Sequence, residues 1–123
     1  MIIKELLKNI IGKQKLYFIE QNKTAYEAAK SMLEYKCGAL LVCNDTNARD
    51  LAGIITERDL AFRIIPQNLK PSETKISSIM TKKVDTILDT KTTFDAIGMM
   101  KKKGYRHLPV ISNKEVIGIL SMR

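Results

Sequence analysis

The 123-residue chain repeats itself, and this internal repeat limits the possible folds more than any other feature of the sequence. When the sequence is compared with itself at a shift of 68 residues, nine positions between residues 11 and 42 are identical. In the first copy these positions are Ile11, Lys15, Ile19, Lys23, Thr24, Ala28, Met32, Leu40 and Val42. The match resumes at a shift of 65 for Gly53-Ile54 and Gly118-Ile119, so the first copy has three extra residues, as is typical of a loop. The sequence therefore predicts two copies of one structural unit.

Each copy predicts a strand, a helix and two more strands. The helices are expected to begin at Thr24 and Thr92, because each threonine is followed three residues later by an acid, as in a capping box. The predicted strands are Leu16 to Ile19, Ala39 to Val42 and Leu51 to Ile55 in the first copy, and Val84 to Leu88, Leu108 to Ile111 and Val116 to Leu120 in the second. The first helix is expected to bury one apolar stripe, formed by Ala25, Ala28, Ala29, Met32 and Leu33. Another helix is predicted from Thr56 through Ile64, ended by Pro66.

This pattern predicts the α/β class, with α+β-like mixed sheets built from tandem β-α-β-β-α repeats. A strand-helix-strand crossover makes a parallel pair of strands, and the turn to the third strand adds an antiparallel neighbour. One repeat of about 50 residues is too small to be comfortably stable alone, so the repeats are expected to pack about a pseudo-twofold axis into one compact domain. We expect a first module over residues 1–66 with an N-terminal helix over 1–11, a linker over 67–78, and a second module over 79–123 without its last helix.

Composition argues against several classes of protein. No apolar run approaches the roughly 18 residues of a membrane span, and Lys4, Glu5 and Lys8 interrupt the N-terminal segment, so we expect a cytoplasmic protein with no membrane partner. Cys37 and Cys43, with one histidine in the chain, form neither a disulfide framework nor a zinc set, so no metal site is expected. No serine or cysteine set of convincing spacing indicates a catalytic residue, so we expect no enzyme activity.

The net charge of +8 calls for an anionic partner: nucleotide phosphate, nucleic acid or an acidic membrane. Aromatic residues make up only 6% of the chain, which disfavours the base stacking typical of nucleic-acid binding. Charge alone leaves these alternatives open.

Three motifs occur in the order and places that are typical of one family. They are Gly53-Ile54-Ile55-Thr56-Glu57-Arg58-Asp59 after the third strand, Gly104-Tyr105-Arg106-His107-Leu108-Pro109-Val110 at the second strand of the second copy, and Ile79-Met80-Thr81 before the first strand of that copy. With the tandem repeat, they make nearly the whole chain resemble a pair of CBS (cystathionine-β-synthase) domains, or Bateman module. The resemblance implies a small stand-alone, non-catalytic ligand sensor.

The resemblance also implies a regulatory ligand and partners. A cleft between the paired repeats would hold AMP, ADP, ATP or S-adenosylmethionine, with no covalent cofactor, and ligand binding would be signalled to an effector protein. Family members commonly form homodimers, and Leu60 to Ile65 is the expected interface here. The alternative is a protein-interaction or nucleic-acid-binding module that uses the basic surface without a specific nucleotide.

The family's Ser/Thr-x-x-Asp element corresponds to Thr56 and Asp59. The carboxylate would accept hydrogen bonds from both ribose hydroxyls, since it has two acceptor oxygens and a charge that strengthens both bonds. The Thr56 hydroxyl, the N–H groups that begin the following helix and the Arg58 cation would lie near a phosphate. Thr-x-x-Asp is also an ordinary capping box, as at Thr24 and Thr92, and both roles can coexist.

The resemblance implies further ligand contacts, at Ile55, Thr86, Arg106, His107, Pro109, Ser121 and Arg123. Of these, Arg106, His107 and Arg123 would lie near the phosphate and Thr86 near the adenine edge, although a lone histidine more often has a structural role. Pro109 lacks an N–H, so it is expected at a strand end or edge. The second copy reaches Arg123, one residue before the position of a second ribose-binding aspartate, so we expect at most one high-quality site, around Asp59.

Overall fold

The structure is a computed structural model, and it describes residues 1–10, 15–44 and 51–121. Its helices are α1 (Ile3–Ile10), α2 (Ala25–Tyr35), α3 (Glu57–Arg63), α4 (Ile76–Ile79) and α5 (Thr93–Lys103), with a short 3₁₀ helix at Pro71–Glu73. Its strands are β1 (Phe18–Glu20), β2 (Ala39–Cys43), β3 (Leu51–Thr56), β4 (Ile87–Leu88), β5 (His107–Ser112) and β6 (Glu115–Ser121). Arg123, a predicted contact residue, lies outside the described residues.

Within the described ranges, the strands form two small mixed sheets, ordered β1-β2-β3 and β4-β5-β6. In each sheet the first two strands are parallel and the last two antiparallel. The crossover helix in each case accounts for the parallel pair. This architecture confirms the predicted fold class of mixed sheets in tandem repeats.

The helices of the two repeats have equivalent positions along the chain. Both ends of α2 and α5 differ by the predicted 68 residues. Each helix begins with a complete capping box, in which the side chain of Thr24 or Thr92 accepts from the backbone N–H three residues on. The identical positions Ala28 and Ala96 are both buried, because the repeated helices turn the same face to their sheets.

The chain divides into two units: Tyr17–Lys83, here called the first unit, and Met1–Leu16 with Val84–Arg123, called the second unit. The segment before each first strand packs in the unit that contains the other repeat. In the first unit the Ile76 N–H donates to the Lys23 carbonyl, and in the second the Ile3 N–H donates to the Lys91 carbonyl, both at 2.8 Å. The segment that precedes the first strand of each repeat therefore packs with the other repeat, and we call this the exchange of leading segments.

This exchange differs from the boundaries drawn from the sequence. The helix expected to belong with the first module packs in the second unit, where Ile3 and Leu7 are buried in the core beside Ala96 and Leu108. The expected linker over 67–78 carries the 3₁₀ helix and the start of α4, and it belongs to the first unit. The physical reason is burial, since Ile76 lies fully buried in the core of that unit.

The predicted stripe on α2 is narrower than expected. Ala25, Ala28 and Met32 are buried, but Ala29 is exposed and Leu33 is 82% exposed. The elements that pack against α2, which are the 3₁₀ helix, α3, α4 and β2, cover only one line of residues along it. No helix in residues 1–10, 15–44 or 51–121 is long and apolar enough to span a bilayer.

Candidate functional site

The predicted ribose-binding pair lies where β3 passes directly into α3. Thr56 has an extended backbone and is the residue that caps the helix. Its N–H donates to Asp59 Oδ2 at 3.0 Å, and the Asp59 N–H donates back to Thr56 Oγ1 at 3.2 Å. The capping role considered from the sequence is therefore present in full.

Capping does not use all the acceptor capacity of the Asp59 carboxylate. Its two oxygens offer about four acceptor positions. The Thr56 N–H takes one, and Arg63 Nε faces Oδ1 at 3.6 Å, which is longer than a good charge-assisted hydrogen bond. About two positions are left, as a cis-diol requires. The side chain is only 10% exposed, so a ribose would reach it along that accessible edge.

The start of α3 has fewer spare donors than the sequence led us to expect. The Glu57 N–H donates to the Gly38 carbonyl at 2.9 Å, and the N–H groups of Thr56 and Asp59 are used by the capping box. The Arg58 guanidinium lies over the Phe62 ring, 5.1 Å from its centroid. A phosphate at this end would therefore depend on arginine side chains more than on the helix backbone.

The Ile55 side chain cannot line a ligand pocket, because it is fully buried in the core of the first unit. The residue as a whole has no exposed surface, and it pairs with Leu40 of β2. The strand explains this, since alternate residues of β3 face opposite sides of the sheet and Ile55 faces the core.

Arg63 is a residue that sequence reasoning missed. Besides facing Asp59, its Nη1 donates to the carbonyls of Ile79 and Met80, at 3.3 and 3.4 Å. The Asp59/Arg63 spacing of four residues on a helix was the available signal. A pocket of about 750 Å³ opens beside Arg63 in the first unit, but within the described residues none of the predicted contact residues lines it.

The described contact residues of the second unit come together at one end of its sheet. His107 and Ser121 are directly opposite each other on β5 and β6. Thr86 immediately precedes β4, whose Ile87 pairs with Val110, so it lies at the same end, level with Pro109. Thr86, Arg106 and Ser121 are exposed. This end is therefore accessible to a ligand.

Pro109 lies inside β5 rather than at its end, and its side chain is fully buried. It pairs with Ile119 of β6. On the other side, the pairing described for β4 begins one residue later, at Val110. At the level of Pro109 the sheet thus has the one-sided pairing that a residue without an N–H tolerates.

A hydrogen bond joins the two loops that enter this end of the sheet. The Tyr105 hydroxyl donates to Asp85 Oδ2 at 3.1 Å. Burial raises the pKa of Tyr105, and the bond to Asp85 raises this pKa further, so the phenol stays neutral at physiological pH. The bond holds the neighbouring residues Thr86 and Arg106 in adjacent loops.

A family model described as CBS domain matches residues 4–65 and 76–123. The chain belongs to the CBS-domain family. The resemblance read from the three motifs is thereby confirmed, and the two repeats are a pair of CBS domains.

Relatives of the CBS pair occur in plants, bacteria and archaea. The CBS domain-containing protein CBSX3, mitochondrial, of Arabidopsis thaliana is 40% identical over 101 residues, which cover 80% of this chain and 49% of that protein. The chain thus spans about half the length of this relative. A CBS-domain containing protein from Agrobacterium tumefaciens has a similar structure, with a TM-score of 0.87 and 28% identity over 98% of this chain and 93% of that one.

A second similar structure contains a ligand. It is a CBS domain protein from Pyrobaculum aerophilum complexed with AMP, with a TM-score of 0.84 and 24% identity over 98% of this chain and 87% of that one. At this identity the likeness shows a common fold.

Proposed function

We propose that this CBS pair binds an adenosine-containing ligand, AMP, ADP, ATP or S-adenosylmethionine, and thereby regulates an effector protein without catalysing a reaction. The observation that carries the proposal is the Asp59 carboxylate at the end of β3, which keeps acceptor positions beyond its capping bond. The AMP complex of the similar archaeal protein supports the choice of an adenosine compound.

The ribose is the part of the ligand that this site is best suited to bind. Two hydroxyls of a cis-diol donate to one carboxylate, and each bond to a charged acceptor contributes about 1.5–3 kcal/mol. Such a site prefers ribose to deoxyribose. It offers less to DNA, which has no 2′-hydroxyl.

We propose that the remaining predicted residues contact the rest of the ligand. Arg58 would contribute beside Asp59. The other contacts would be Thr86 at the adenine edge, Arg106, His107 and Arg123 at the phosphate, and Ser121 as a wall, which the fully buried Pro109 would support without touching the ligand. The common placement of Thr86, His107, Pro109 and Ser121 at one end of a sheet supports this division of roles.

The test is calorimetric titration with AMP, ADP, ATP and S-adenosylmethionine, at physiological salt, on the wild type and two variants. Asp59→Asn removes the charge needed for the ribose. Asp95→Asn is a matched control, since Asp95 forms the same capping box with Thr92, at 3.1 Å for both bonds. Losing one charge-assisted bond corresponds to about a tenfold loss of affinity or more.

We expect saturable binding of at least one ligand by the wild type and by Asp95→Asn, and at least tenfold weaker binding by Asp59→Asn. If neither the wild type nor the control binds any of the four, the proposed function is wrong. Salt-sensitive binding of RNA or DNA by such a protein would then favour the basic-surface alternative.

We further propose that the protein is cytoplasmic and forms a homodimer through the expected Leu60 to Ile65 segment. Its exposed apolar side chains, Phe62 at 61% and Ile65 at 75%, support this interface, whereas Ile64 is buried in the core. Sedimentation of Phe62→Asp should show a monomer where the wild type shows a dimer. A dimer of unchanged stability in that variant would remove this segment from the interface.

A further inference from the structure

We infer that Arg63 is a positioning residue that connects the Asp59 carboxylate to the backbone at Ile79 and Met80, so that a ribose bound at Asp59 changes how this backbone is held. This inference rests on the proposed function, because it gives a consequence to occupancy of Asp59. It concerns a side chain outside the predicted contact set.

The Arg63 guanidinium contacts both the Asp59 carboxylate and the backbone carbonyls of Ile79 and Met80. Nε lies 3.6 Å from Asp59 Oδ1, and Nη1 donates to the Ile79 and Met80 carbonyls at 3.3 and 3.4 Å. The guanidinium is planar and rigid, so its nitrogens move together. A shift of Arg63 relative to the carboxylate is therefore also a shift relative to the two carbonyls.

The carbonyls belong to a short segment whose side chains, Ile79 and Met80, are buried in the core of the first unit. They lie at the end of the four-residue helix α4, where carbonyls have no partner further along the helix. One residue later, Thr81 exchanges two backbone hydrogen bonds with Ile54, at 2.9 and 3.0 Å. The first unit ends at Lys83, so this segment is the last part of the unit before the chain enters the second repeat.

A ribose competes with Arg63 for the carboxylate. The separation of 3.6 Å exceeds the 2.7–2.9 Å or so of a strong charge-assisted bond, so the existing contact is loose. Two hydroxyls that donate to the Asp59 carboxylate occupy its acceptor positions, and this weakens its attraction to Arg63. The guanidinium then interacts more strongly with the Ile79 and Met80 carbonyls, and the segment becomes better protected.

The experiment measures AMP affinity and amide hydrogen exchange in the same variants. Arg63→Met removes the guanidinium at similar length, and Arg63→Lys keeps the charge without the fork of nitrogens. Lys30→Met is the matched control, since it removes one charge from the same unit at a side chain that contacts only the Tyr26 ring among the interactions described. Exchange is read at the Met80 and Thr81 amides, with and without AMP.

For the wild type and Lys30→Met we expect equal AMP affinity within twofold and slower exchange at both amides when AMP is bound. Because Arg63 competes with the ribose for the carboxylate, Arg63→Met should bind AMP at least as tightly as the wild type, with faster exchange without ligand and no further slowing by AMP at saturation. Arg63→Lys should also bind AMP without the response of the amides, a separation that a purely structural role would not give.

Two outcomes overturn the inference in distinguishable ways. If the wild type binds AMP and Arg63→Met still shows slower exchange at both amides when AMP is bound, Arg63 has no such role and the proposed function stands. If the wild type binds none of the four adenosine compounds, the proposed function fails and this inference fails with it.

Discussion

Gly53→Ala should strongly destabilise the first unit, because the space beside this glycine is already filled. A Cβ atom at this position would lie 2.5 Å from the Thr81 carbonyl oxygen and 3.0 Å from Met80 Sδ. Backbone at 2.5 Å cannot be accommodated without movement. Moving Thr81 breaks its two hydrogen bonds to Ile54, each worth about 1 kcal/mol, and overpacking adds about 1 kcal/mol, so we expect a loss of about 3 kcal/mol.

Gly98→Ala is the matched control for this substitution. Gly98 lies within α5 and a Cβ there would meet nothing within 4 Å. Alanine is favoured over glycine inside a helix by about 1 kcal/mol, so this variant should be more stable than the wild type. Guanidinium unfolding followed by far-ultraviolet circular dichroism gives both values. A Gly53→Ala protein within 0.5 kcal/mol or so of the wild type would refute the reasoning, given the smallest effects expected of overpacking.

Three further predictions concern the repeat and its helix ends. Lys36, in the left-handed conformation (φ 54°) at the end of α2, stands where α5 has Gly104, so Lys36→Gly should raise the melting temperature by about 4 °C, and a decrease would contradict this. Leu7→Ala should lower the free energy of unfolding by about 2–4 kcal/mol and make hydrogen exchange faster over residues 84–121. Faster hydrogen exchange confined to residues 17–83 would contradict the packing of α1 with the second repeat. The pKa of Asp95 lies below its ordinary value of 3.8, chiefly because the Thr92 backbone N–H donates to the carboxylate. The unfolded chain therefore binds the proton more tightly, so stability is lost as pH falls through the folded pKa; acid titration should destabilise the wild type more than Asp95→Asn, and equal pH profiles would refute this.

Local sequence signals predicted the repeated elements because their causes are local. The threonine caps with an acid three residues on, at Thr24 and Thr92, begin both helices as expected. The apolar runs became the central strands β2 and β5 with bounds extended by at most one residue at each end. The same local logic predicted the capping box at Thr56 and Asp59.

Features that depend on packing could not be predicted from the sequence. The sequence of an apolar N-terminal helix does not indicate which of two similar cores the helix packs against. In the structure, Ile3 and Leu7 pack with the second repeat. The exposure of Leu33 depends on which elements pack against α2. The contact of Arg63 with the Ile79 carbonyl joins residues 16 positions apart through a turn that periodicity does not predict.

The most direct test of the central claim is a cycle of two proteins and two ligands, wild type and Asp59→Asn with AMP and 2′-deoxy-AMP. If Asp59 accepts a hydrogen bond from the 2′-hydroxyl, the wild type should prefer AMP by about tenfold or more, and Asp59→Asn should lose most of this preference. An equal preference for AMP in both proteins would show that another group reads the hydroxyl, and would contradict the role of Asp59.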